Sequence, residues 1–390
     1  MNKNIKDTIR PCPYNKKCGG CSLQNLSYND QLRHKQVKLI RLLGTFGHVE
    51  EIIGMENPTH YRNKVQAVFT TRNGRLVSGI YQSSTGSIVP VESCLIEDEI
   101  ADSIISTLCR LFTSFKIKPY DKLSGRGFLR HVLIKRGFKS GQVMVVIVTK
   151  GGDFPSRRSF INALLNRHPE ITTIVRSVNE NRDGLFLGED NEILFGGGYI
   201  EEELCGMTFR ISPASFYQVN PTQTEKLYNK AIELAGLTGE ETLIDAYCGT
   251  GTIGLIMSRA VKKVTGIELN KNAVNDAFAN ARLNNVHNIS FICGDAGKFM
   301  HEATKNRESV DVVVTDPPRA GCSRQFLQSL VALAPKKVVY ISCNPETLAR
   351  DLFYLRRKGY HIEVIQPVDM FPYTGHVETV VLLKRNEEQA

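Results

Sequence analysis

The chain has 390 residues, of which 42% are hydrophobic and 23% are charged. This composition is that of a globular protein and excludes a disordered one, and the length is sufficient for two or three domains. The longest apolar runs, such as Val143 to Val148, are too short to cross a bilayer. The polar first twelve residues lack the apolar segment of a signal peptide. With ten cysteines and no secretory signal, we expect a cytoplasmic protein, where thiols serve metals or chemistry more often than disulfides.

Positive charge is concentrated in the first half of the chain. Residues 1–200 carry 28 Lys and Arg against 18 Asp and Glu, whereas residues 201–390 carry 21 against 22. A polyanion such as nucleic acid is the natural partner of a basic half. A soluble basic surface without a partner would give the same balance, so charge alone leaves both interpretations open.

A group of cysteines opens the chain. Cys12, Cys18 and Cys21 follow the spacing C-x5-C-x2-C, and Cys94 stands far from them in sequence. Thiols this dense are difficult to explain by packing, so the pattern predicts a metal site. Four thiolates suit either tetrahedral zinc or a 4Fe–4S cluster, and the spacing does not choose between them. The segment "NDQLRHKQVKLIRLL" then predicts a polar helix.

The middle of the chain predicts an α+β module of mostly antiparallel strands. The segment "VQAVFTTRNGRLVSGIY" places Asn73-Gly74, a hairpin turn pair, between two strand-like runs. The segment "HVLIKRGFKSGQVMVVIVT" predicts a second hairpin. Several cations lie in or beside the first strand of that hairpin and are the first candidates for contacts with a polyanion, namely Arg126, Arg130, Lys135 and Arg136.

The last third of the chain alternates strands with helices. Short β-branched runs begin at Thr242, Lys263, Ile289, Val310 and Lys337, and stretches such as "KNAVNDAFANARLNN" between them have a helical period. This alternation predicts a parallel sheet covered on both faces. The last two strands have no helix between them, so we expect them to pair antiparallel.

These patterns divide the chain into three parts: a cysteine segment with a helix over residues 1–54, an α+β substrate-binding region over 55–200 that includes Cys94, and a domain over 201–390. The segment "FYQVNPTQTEKLYNKAIELAG" could pack on either side of the last boundary.

A glycine-rich turn follows the first strand of the predicted parallel sheet. In "DAYCGTGTIGL", Gly249, Gly251 and Gly254 open a helix and would let the backbone approach a nucleotide-like ligand. Glu268 ends the next strand, where an acid can accept hydrogen bonds from ribose hydroxyls. This spacing fits NAD as well as S-adenosylmethionine, and a tight turn without a ligand would also produce it.

Two further segments end strands on the same edge of the sheet. Asp316, in "TDPPRAG", is presented by a loop that consecutive prolines stiffen; a capping Asp without a ligand is the alternative. Cys343 precedes Asn344-Pro345, which predicts a helix start. The thiol is either a small buried hydrophobe or a nucleophile, because a helix N-terminus lowers a thiol pKa. Its place beside Asp316 favours the nucleophile.

Glu378 begins the last predicted strand, close to His376. A carboxylate in that position is usually a solvated strand end. With an aligned thiol nearby, it becomes a candidate general base.

Taken together, the motifs resemble the RNA 5-methyluridine methyltransferase family, and specifically its iron–sulfur members that modify 23S ribosomal RNA. The resemblance covers almost the whole chain and requires the cysteine group followed in order by "FYQVN", "DAYCGTGTIGL", "GIELN", "GDA", "DPPRAG", "SCNP" and "HVET". It implies an α/β fold, with a Rossmann-like class I methyltransferase domain behind an N-terminal α+β RNA-binding region that carries a 4Fe–4S cluster. It also implies a monomer whose partner is ribosomal RNA and not a membrane.

The resemblance assigns roles to individual residues. It implies Cys343 as nucleophile and Glu378 as base, and a 4Fe–4S cluster rather than zinc on Cys12, Cys18, Cys21 and Cys94. The implied contacts to S-adenosylmethionine are Gln218, Tyr247, Thr252, Glu268, Asp295 and Asp316. RNA cytosine-5 methyltransferases carry a cysteine directly after the proline of the fourth-strand motif. Here Arg319 follows Pro318, which favours uracil as the target.

Some ribosomal members begin with a small β-barrel that binds RNA, and this chain looks more like the short members without it. Two other functions stay open. One is a transfer-RNA uridine methyltransferase, although such members resemble the catalytic half and lack the cluster. The other is an RNA-binding iron–sulfur protein without catalytic activity, which the presence of both Cys343 and Glu378 argues against.

Overall fold

The structure is a computed structural model that describes residues 12–82, 85–122, 124–181, 186–188 and 190–386. A one-turn helix, α1 (Asn15–Cys18), and a long helix, α2 (Tyr28–Leu43), open the described chain. The hydroxyl of Ser27 caps α2 by accepting a hydrogen bond from the backbone N–H of Asp30 at 3.2 Å. The predicted polar helix is therefore confirmed, and it starts one residue before the predicted segment.

The middle of the chain folds into a seven-stranded sheet, which we call the central sheet. Its elements are β1 (Lys64–Arg72), β2 (Arg75–Tyr81), β3 (Ile88–Pro90), α3 (Glu99–Ser114), β4 (Leu129–Arg136), β5 (Val143–Thr149), α4 (Arg157–Leu165), β6 (Ile171–Val178) and β7 (Asp190–Phe195). The strand order is β3-β2-β1-β4-β5-β6-β7, and only β5 and β6 pair in parallel among these described strands. Helices α3 and α4 bury their apolar residues against one face of the sheet.

Both predicted hairpins are present. Strands β1 and β2 pair antiparallel around Asn73 and Gly74, whose φ angles of 49° and 75° are those that a tight hairpin turn requires. Strands β4 and β5 also pair antiparallel. The α+β character expected for this region is therefore confirmed.

A short ribbon and a helix connect the two halves of the molecule. The ribbon pairs β8 (Ile200–Leu204) with β9 (Met207–Ile211), and α5 (Pro221–Ala235) follows it. Helix α5 begins with Asn220 as its cap and Pro221 at its first position. Its buried residues, such as Leu227, pack with those of the following domain, which resolves the open placement of this segment.

The last third forms a second seven-stranded sheet, which we call the C-terminal sheet. Its elements are β10 (Thr242–Ala246), α6 (Thr252–Met257), a 3₁₀ turn (Ser258–Ala260), β11 (Lys263–Glu268), α7 (Lys271–Leu283), β12 (Ile289–Cys293), α8 (Ala296–Lys305), β13 (Val312–Thr315), α9 (Arg324–Leu333), β14 (Lys337–Ser342), α10 (Pro345–Arg356), β15 (Tyr360–Val368) and β16 (Glu378–Arg385). The order is β12-β11-β10-β13-β14-β16-β15, with β16 antiparallel to both of its neighbours. The predicted parallel sheet and the antiparallel final pair are confirmed.

Helices cover both faces of the C-terminal sheet. Helices α5, α6 and α7 pack on one face, and α8, α9 and α10 pack on the other. Helix α2 joins the second group through Leu39 and Leu43, which are fully buried. The chain after α2 then forms parallel bridges to β15 at Val49 and Ile53. Helix α2 and residues 49–53 thus pack on the C-terminal half, whereas Tyr14 and the cysteines near it lie beside the middle region, and the three-part division of the chain stays a prediction. No helix in the described part of the chain is both long and apolar enough to span a membrane.

Candidate active site

Three predicted residues meet at the carboxyl edge of the C-terminal sheet. Asp316 directly follows β13, Cys343 directly follows β14, and Glu378 is the first residue of β16. Because β16 runs antiparallel, its beginning lies at the edge where β14 ends. Ser342 pairs with Thr379 in the sheet, so the next position outward sets Cys343 beside Glu378.

A cavity of about 590 Å³ opens at this edge. Both predicted catalytic residues line it, and so do five of the six predicted cofactor residues: Gln218, Tyr247, Thr252, Glu268 and Asp316. These residues come from the ends of five strands, the start of α6 and the segment before α5. The fold therefore brings together residues that are up to 160 positions apart in the sequence.

The sixth predicted cofactor residue, Asp295, is not among the residues that line the cavity. It follows β12 at the same edge of the sheet, and its carboxylate caps α8 by accepting a hydrogen bond from Lys298 N at 2.8 Å. Burial raises the pKa of the Tyr247 phenol, and Cys322 and then Asp295 add to this effect, so Asp295 lies close to Tyr247. Asp295 thus borders the site without facing into it.

The glycine-rich turn has the conformation that close approach to a ligand requires. Gly249 and Gly251 have φ angles of 55° and 80°, and a Cβ added at Gly251 would lie 2.9 Å from the ring of Phe291. The Glu268 carboxylate accepts hydrogen bonds from the backbone N–H groups of Gly249 at 3.1 Å and Asn270 at 2.8 Å. These bonds fix the carboxylate at the cavity wall and leave further lone pairs for ribose hydroxyls. The turn, the acid and the cavity therefore fit a nucleoside-type ligand such as S-adenosylmethionine.

The expectation that the helix start lowers the thiol pKa of Cys343 is wrong for this structure. Helix α10 does begin as predicted, with Asn344 as its cap and Pro345 at its first position. The pKa of the thiol is nevertheless raised to about 11, first by burial and then by the carboxylates of Glu378 and Asp316, while Arg319 lowers it. Desolvation and two nearby acids outweigh the helix terminus.

The two carboxyl groups that face the thiol also favour their protonated forms. Burial raises the pKa of Asp316 to about 7. The pKa of Glu378 is raised well above its usual value, first by burial and then by Asp316, while Arg319 lowers it. The Glu378 Oε2 atom is buried and has no hydrogen-bond partner within the described ranges. The raised pKa makes the ionised Glu378 carboxylate a stronger base than an ordinary one, and the free Oε2 atom can receive a proton.

Among the residues that line the cavity and were not predicted as site residues, three stand out by their charge, hydrogen bonding or exposure. Burial and neighbouring carboxylates raise the pKa of Cys343 and the pKa of Glu378, and Arg319 is the cation that lowers both. Tyr228, on α5, hydrogen bonds with both Gln218 and Thr252, and burial raises its pKa. Phe216 presents a ring that is 65% exposed. Arg319 could have been predicted from its place in "DPPRAG", whereas Tyr228 lies on the apolar face of a helix, where its side chain is expected to belong to the core.

The four predicted metal-ligand cysteines converge on one small cavity. Cys12, Cys18, Cys21 and Cys94 all line it. The pKa of Cys21 is raised to about 11, first by burial and then by the neighbouring Cys18 and Cys12. Within the described residues, no group of three or more His, Cys, Asp or Glu side chains is arranged to hold a single metal ion. The four cysteines therefore surround one cavity, but they do not converge on a position that a single metal ion could occupy.

The N-terminal segment also forms an ion pair and hydrogen bonds with the loop of residues 369–377, which directly precedes Glu378. Lys35 Nζ lies 2.5 Å from Asp369 Oδ1 and donates a hydrogen bond to the carbonyl of Phe371 at 3.0 Å. The hydroxyl of Tyr28 donates to Asp369 Oδ2 at 2.9 Å. Lys35 and Asp369 are 1% and 0% exposed. This buried ion pair therefore joins α2 to the loop that carries His376 and leads to the candidate base.

Backbone contacts continue this attachment toward the cysteines. Tyr373 N donates to Gln31 Oε1 at 2.7 Å, and its carbonyl accepts from Leu23 N at 2.9 Å. Gly375 N donates to Ser22 Oγ at 3.0 Å. Cys21 and Cys94 pack against the apolar cluster that contains the Tyr373 ring. The cysteine group and the loop before Glu378 are therefore parts of one packed unit.

Most of the cations proposed for contacts with a polyanion are structural. Arg130 is 7% exposed and donates to the carbonyls of Asn179 and Asn181, both at 2.7 Å. Lys135 is 5% exposed and donates to the carbonyls of Ser212 and Ser215, both at 2.8 Å. Arg136 pairs with Asp98 at 2.5 Å. The expectation is therefore wrong for Arg130 and Lys135, which serve backbone carbonyls of the fold, while Arg126 is exposed.

Comparison with known proteins covers nearly the whole chain. Residues 187–386 match the family described as "tRNA (Uracil-5-)-methyltransferase". An uncharacterized RNA methyltransferase of Clostridium tetani is 44% identical over 377 residues, which are 96% of this chain and 82% of that protein. Another, from Caldanaerobacter subterraneus subsp. tengcongensis, is 44% identical over 378 residues, which are 96% of this chain and 84% of that protein.

A solved structure is similar over the same extent. The tRNA (uracil-54, C5)-methyltransferase of Pyrococcus abyssi, in complex with S-adenosyl-L-homocysteine, superposes with a TM-score of 0.80 and is 31% identical. The superposition covers 96% of this chain and 87% of that one. The similarity therefore includes the N-terminal segment as well as both sheets.

Proposed function

We propose, since this chain belongs to the tRNA (uracil-5-)-methyltransferase family, that it transfers a methyl group from S-adenosylmethionine to carbon 5 of a specific uridine in 23S ribosomal RNA. Its C-terminal half has the α/β fold of class I S-adenosylmethionine-dependent methyltransferases. One observation carries the proposal. A thiol, a buried carboxyl with a raised pKa and a glycine-turn nucleotide site share a single cavity.

Cys343 is the proposed nucleophile. Carbon 5 of uracil is poorly nucleophilic, and addition of a thiolate to carbon 6 moves the electrons of the double bond onto the carbonyl oxygen. The resulting enolate is nucleophilic at carbon 5. Burial, Glu378 and Asp316 raise the pKa of the Cys343 thiol, and Arg319 opposes them and so favours the thiolate that must form. The target base has to leave its stack to reach the thiol, which costs a few kcal/mol and is easiest in a loop.

Glu378 is the proposed base. After carbon 5 has been methylated, its remaining proton must leave so that the carbon 5–carbon 6 double bond can re-form. The electrons of the broken C–H bond then expel the sulfur of Cys343, which restores the thiolate. The Oε2 atom of Glu378 is buried, lacks a partner within the described ranges and lines the same cavity as the thiol, so it can receive this proton.

The cofactor residues proposed are Gln218, Tyr247, Thr252, Glu268, Asp295 and Asp316. When bound, S-adenosylmethionine supplies an electrophilic methyl group on a sulfonium. Glu268 is suited to the ribose hydroxyls because two backbone N–H groups hold its carboxylate at the cavity. Asp316 follows β13 within a stiff Pro317-Pro318 loop next to the thiol, where it can border both the cofactor and the base. Asp295 borders the site behind Tyr247 and is the least direct of the six.

A 4Fe–4S cluster is the proposed occupant of the cysteine group. Four cysteines line one cavity, which fits a cluster in which each thiolate binds a different iron. The choice of a cluster over a single zinc ion rests on the resemblance to the iron–sulfur members, because four thiolates suit either group. Protein purified without oxygen should be brown and contain about four irons per chain. Colourless anaerobic protein with one zinc per chain would overturn this assignment.

The proposal of a ribosomal substrate rests on the resemblance to the iron–sulfur members, and the presence of the cysteine group supports this proposal. A transfer RNA is the second candidate, which the superposition on the Pyrococcus abyssi enzyme supports. We place the reaction in the cytoplasm and expect a monomer to perform it.

Mapping 5-methyluridine in cells with and without this protein separates the two substrates. Loss of one methylated position in 23S ribosomal RNA, with transfer RNA unchanged, is expected. Loss only in transfer RNA would replace the ribosomal proposal by the second candidate. In a matched assay with purified protein, Cys343→Ala should abolish transfer and keep S-adenosylmethionine binding, whereas the buried Cys322→Ala should retain transfer. Turnover by Cys343→Ala at the wild-type rate would rule out the nucleophile.

A further inference from the structure

A second cavity lies on the other side of Cys343. It has a volume of about 330 Å³ and shares three lining residues with the first cavity: Arg319, Cys343 and His376. We infer that this second cavity binds a phosphodiester group of the RNA strand next to the target uridine. The inference rests on the proposed function and extends it to the path of the strand past the thiol.

The walls of the second cavity suit a charged group better than a base. Besides the shared residues, they are formed by Ser22, Lys38, Asn344, Pro345, Glu346 and Gly375. Among these described lining residues there is no aromatic ring other than the shared imidazole and no aliphatic side chain apart from proline. Bases are held by stacking on aromatic rings, whereas phosphates are held by cations and by hydroxyl or backbone donors.

Cations outnumber acids around this cavity. Lys38 and Arg319 line it, and the single acid is Glu346. Lys38 Nζ lies 2.9 Å from Glu346 Oε1, with side chains that are 30% and 55% exposed. Arg41 and Arg62 lie close enough to act electrostatically on Glu346 and His376 respectively. An exposed ion pair of this kind is weak, so a phosphate can replace the carboxylate as the partner of Lys38.

The position of the cavity fits the geometry of an extruded nucleotide. A uridine that turns out of its stack stays attached to the strand through the phosphates on either side. If its ring lies in the first cavity against Cys343, the strand must pass close to that thiol. The second cavity is the polar space that adjoins the thiol, and Lys38 reaches it from α2. The N-terminal segment would thereby contact the substrate directly.

Two substitutions with opposite expected signs test this inference. Lys38→Met should weaken binding to the substrate RNA about tenfold, because a charge-assisted contact is lost. It should also reduce the slope of log K against log salt by about one. Glu346→Gln should strengthen binding, because the competing carboxylate is gone. Lys305→Met, on the remote helix α8 and also in an exposed ion pair, is the matched control and should change neither quantity.

Binding is measured by titrating labelled substrate RNA at several salt concentrations, with S-adenosylmethionine affinity as a second readout that should stay constant. If Lys38 and Glu346 only stabilise the fold as a pair, both substitutions weaken binding together, and the inference fails. Wild-type affinity in Lys38→Met also overturns it. Either result leaves the proposed function intact as long as the wild-type protein transfers methyl groups. If the wild-type protein binds RNA but transfers no methyl group, the proposed function is overturned. The opposite changes in RNA affinity expected for Lys38→Met and Glu346→Gln would still test the inference.

A neutral linkage in the RNA gives an independent test. A methylphosphonate at the linkage next to the target uridine should weaken binding to the wild type and to Lys305→Met. It should cost less in Lys38→Met, since one of the two cations that line the cavity is already absent. Equal losses in Lys38→Met and in the wild type would overturn the inference.

Discussion

The buried ion pair between Lys35 and Asp369 provides the sharpest test of how the N-terminal segment supports the candidate base. Substituting Lys35 by Met keeps an unbranched chain of similar size and removes the charge. Asp369, which is 0% exposed, would then keep Tyr28 as a hydrogen-bond donor and lose its counter-charge, while the carbonyl of Phe371 would lose Lys35 and keep Thr374 as a donor. Leaving one member of a buried pair uncompensated costs about 3–5 kcal/mol.

We therefore expect Lys35→Met to lower the free energy of unfolding by about that amount. We also expect faster amide exchange in peptides that span the 369–377 loop. Methyl transfer should fall because Glu378 follows this loop, while S-adenosylmethionine affinity should change little, because its proposed residues lie on other elements. The exposed pair of Lys230 and Glu233 supplies the control, and Lys230→Met should cost less than about 1 kcal/mol.

A double variant separates the lost charge from the lost packing. Combining Lys35→Met with Asp369→Leu removes both charges and should recover most of the stability, since apolar replacements of buried pairs are often neutral or better. Urea denaturation followed by circular dichroism measures all four proteins. A cost for Lys35→Met no larger than that for Lys230→Met would refute the argument that this pair holds the loop.

Three further predictions concern the thiol, the cations and the cysteine group. Because burial raises the pKa of Cys343 to about 11, its thiolate fraction and its alkylation rate should rise about tenfold per pH unit between pH 7 and 10; a plateau below pH 8 would contradict this. Arg130→Ala should lower the melting temperature more than it weakens RNA binding, and the exposed Arg126→Ala should do the reverse; equal effects on both quantities would contradict the assignment. Cys94→Ser should make the N-terminal segment susceptible to limited proteolysis and lower the iron content, with S-adenosylmethionine affinity unchanged; wild-type protection and iron content would exclude a role in the cluster.

The order of elements could be predicted well because it depends on local patterns. Asn73-Gly74 specifies a hairpin turn by its own backbone preferences, and Asn344-Pro345 specifies a helix start. Short apolar strands with few polar residues, separated by helices, specify a parallel sheet covered on both faces. Once that sheet is known, the ends of its strands bring Asp316 and Cys343 to one edge without further information.

The side-chain environments could not be predicted in the same way. A strand carrying Arg130 and Lys135 looks like a basic surface, and their burial depends on carbonyls at Asn179, Ser212 and Ser215 that distant segments supply. The pKa of Cys343 depends on Glu378, which only the antiparallel pairing of β16 brings close. The attachment of Lys35 to Asp369 spans more than three hundred residues. Such long-range contacts leave no periodic pattern in the sequence.

In the proposed mechanism, Cys343 forms a covalent bond to the uracil that is methylated, and Glu378 allows that bond to break by removing the proton on carbon 5. The most direct measurement uses Glu378→Gln with substrate RNA and S-adenosylmethionine labelled in its methyl group, followed by a denaturing gel and peptide mapping of any product. We expect a protein–RNA adduct that carries the label and maps to Cys343, because addition and methylation can proceed while the proton on carbon 5 stays. An inactive Glu378→Gln protein that forms no adduct, or an adduct at another residue, would contradict it.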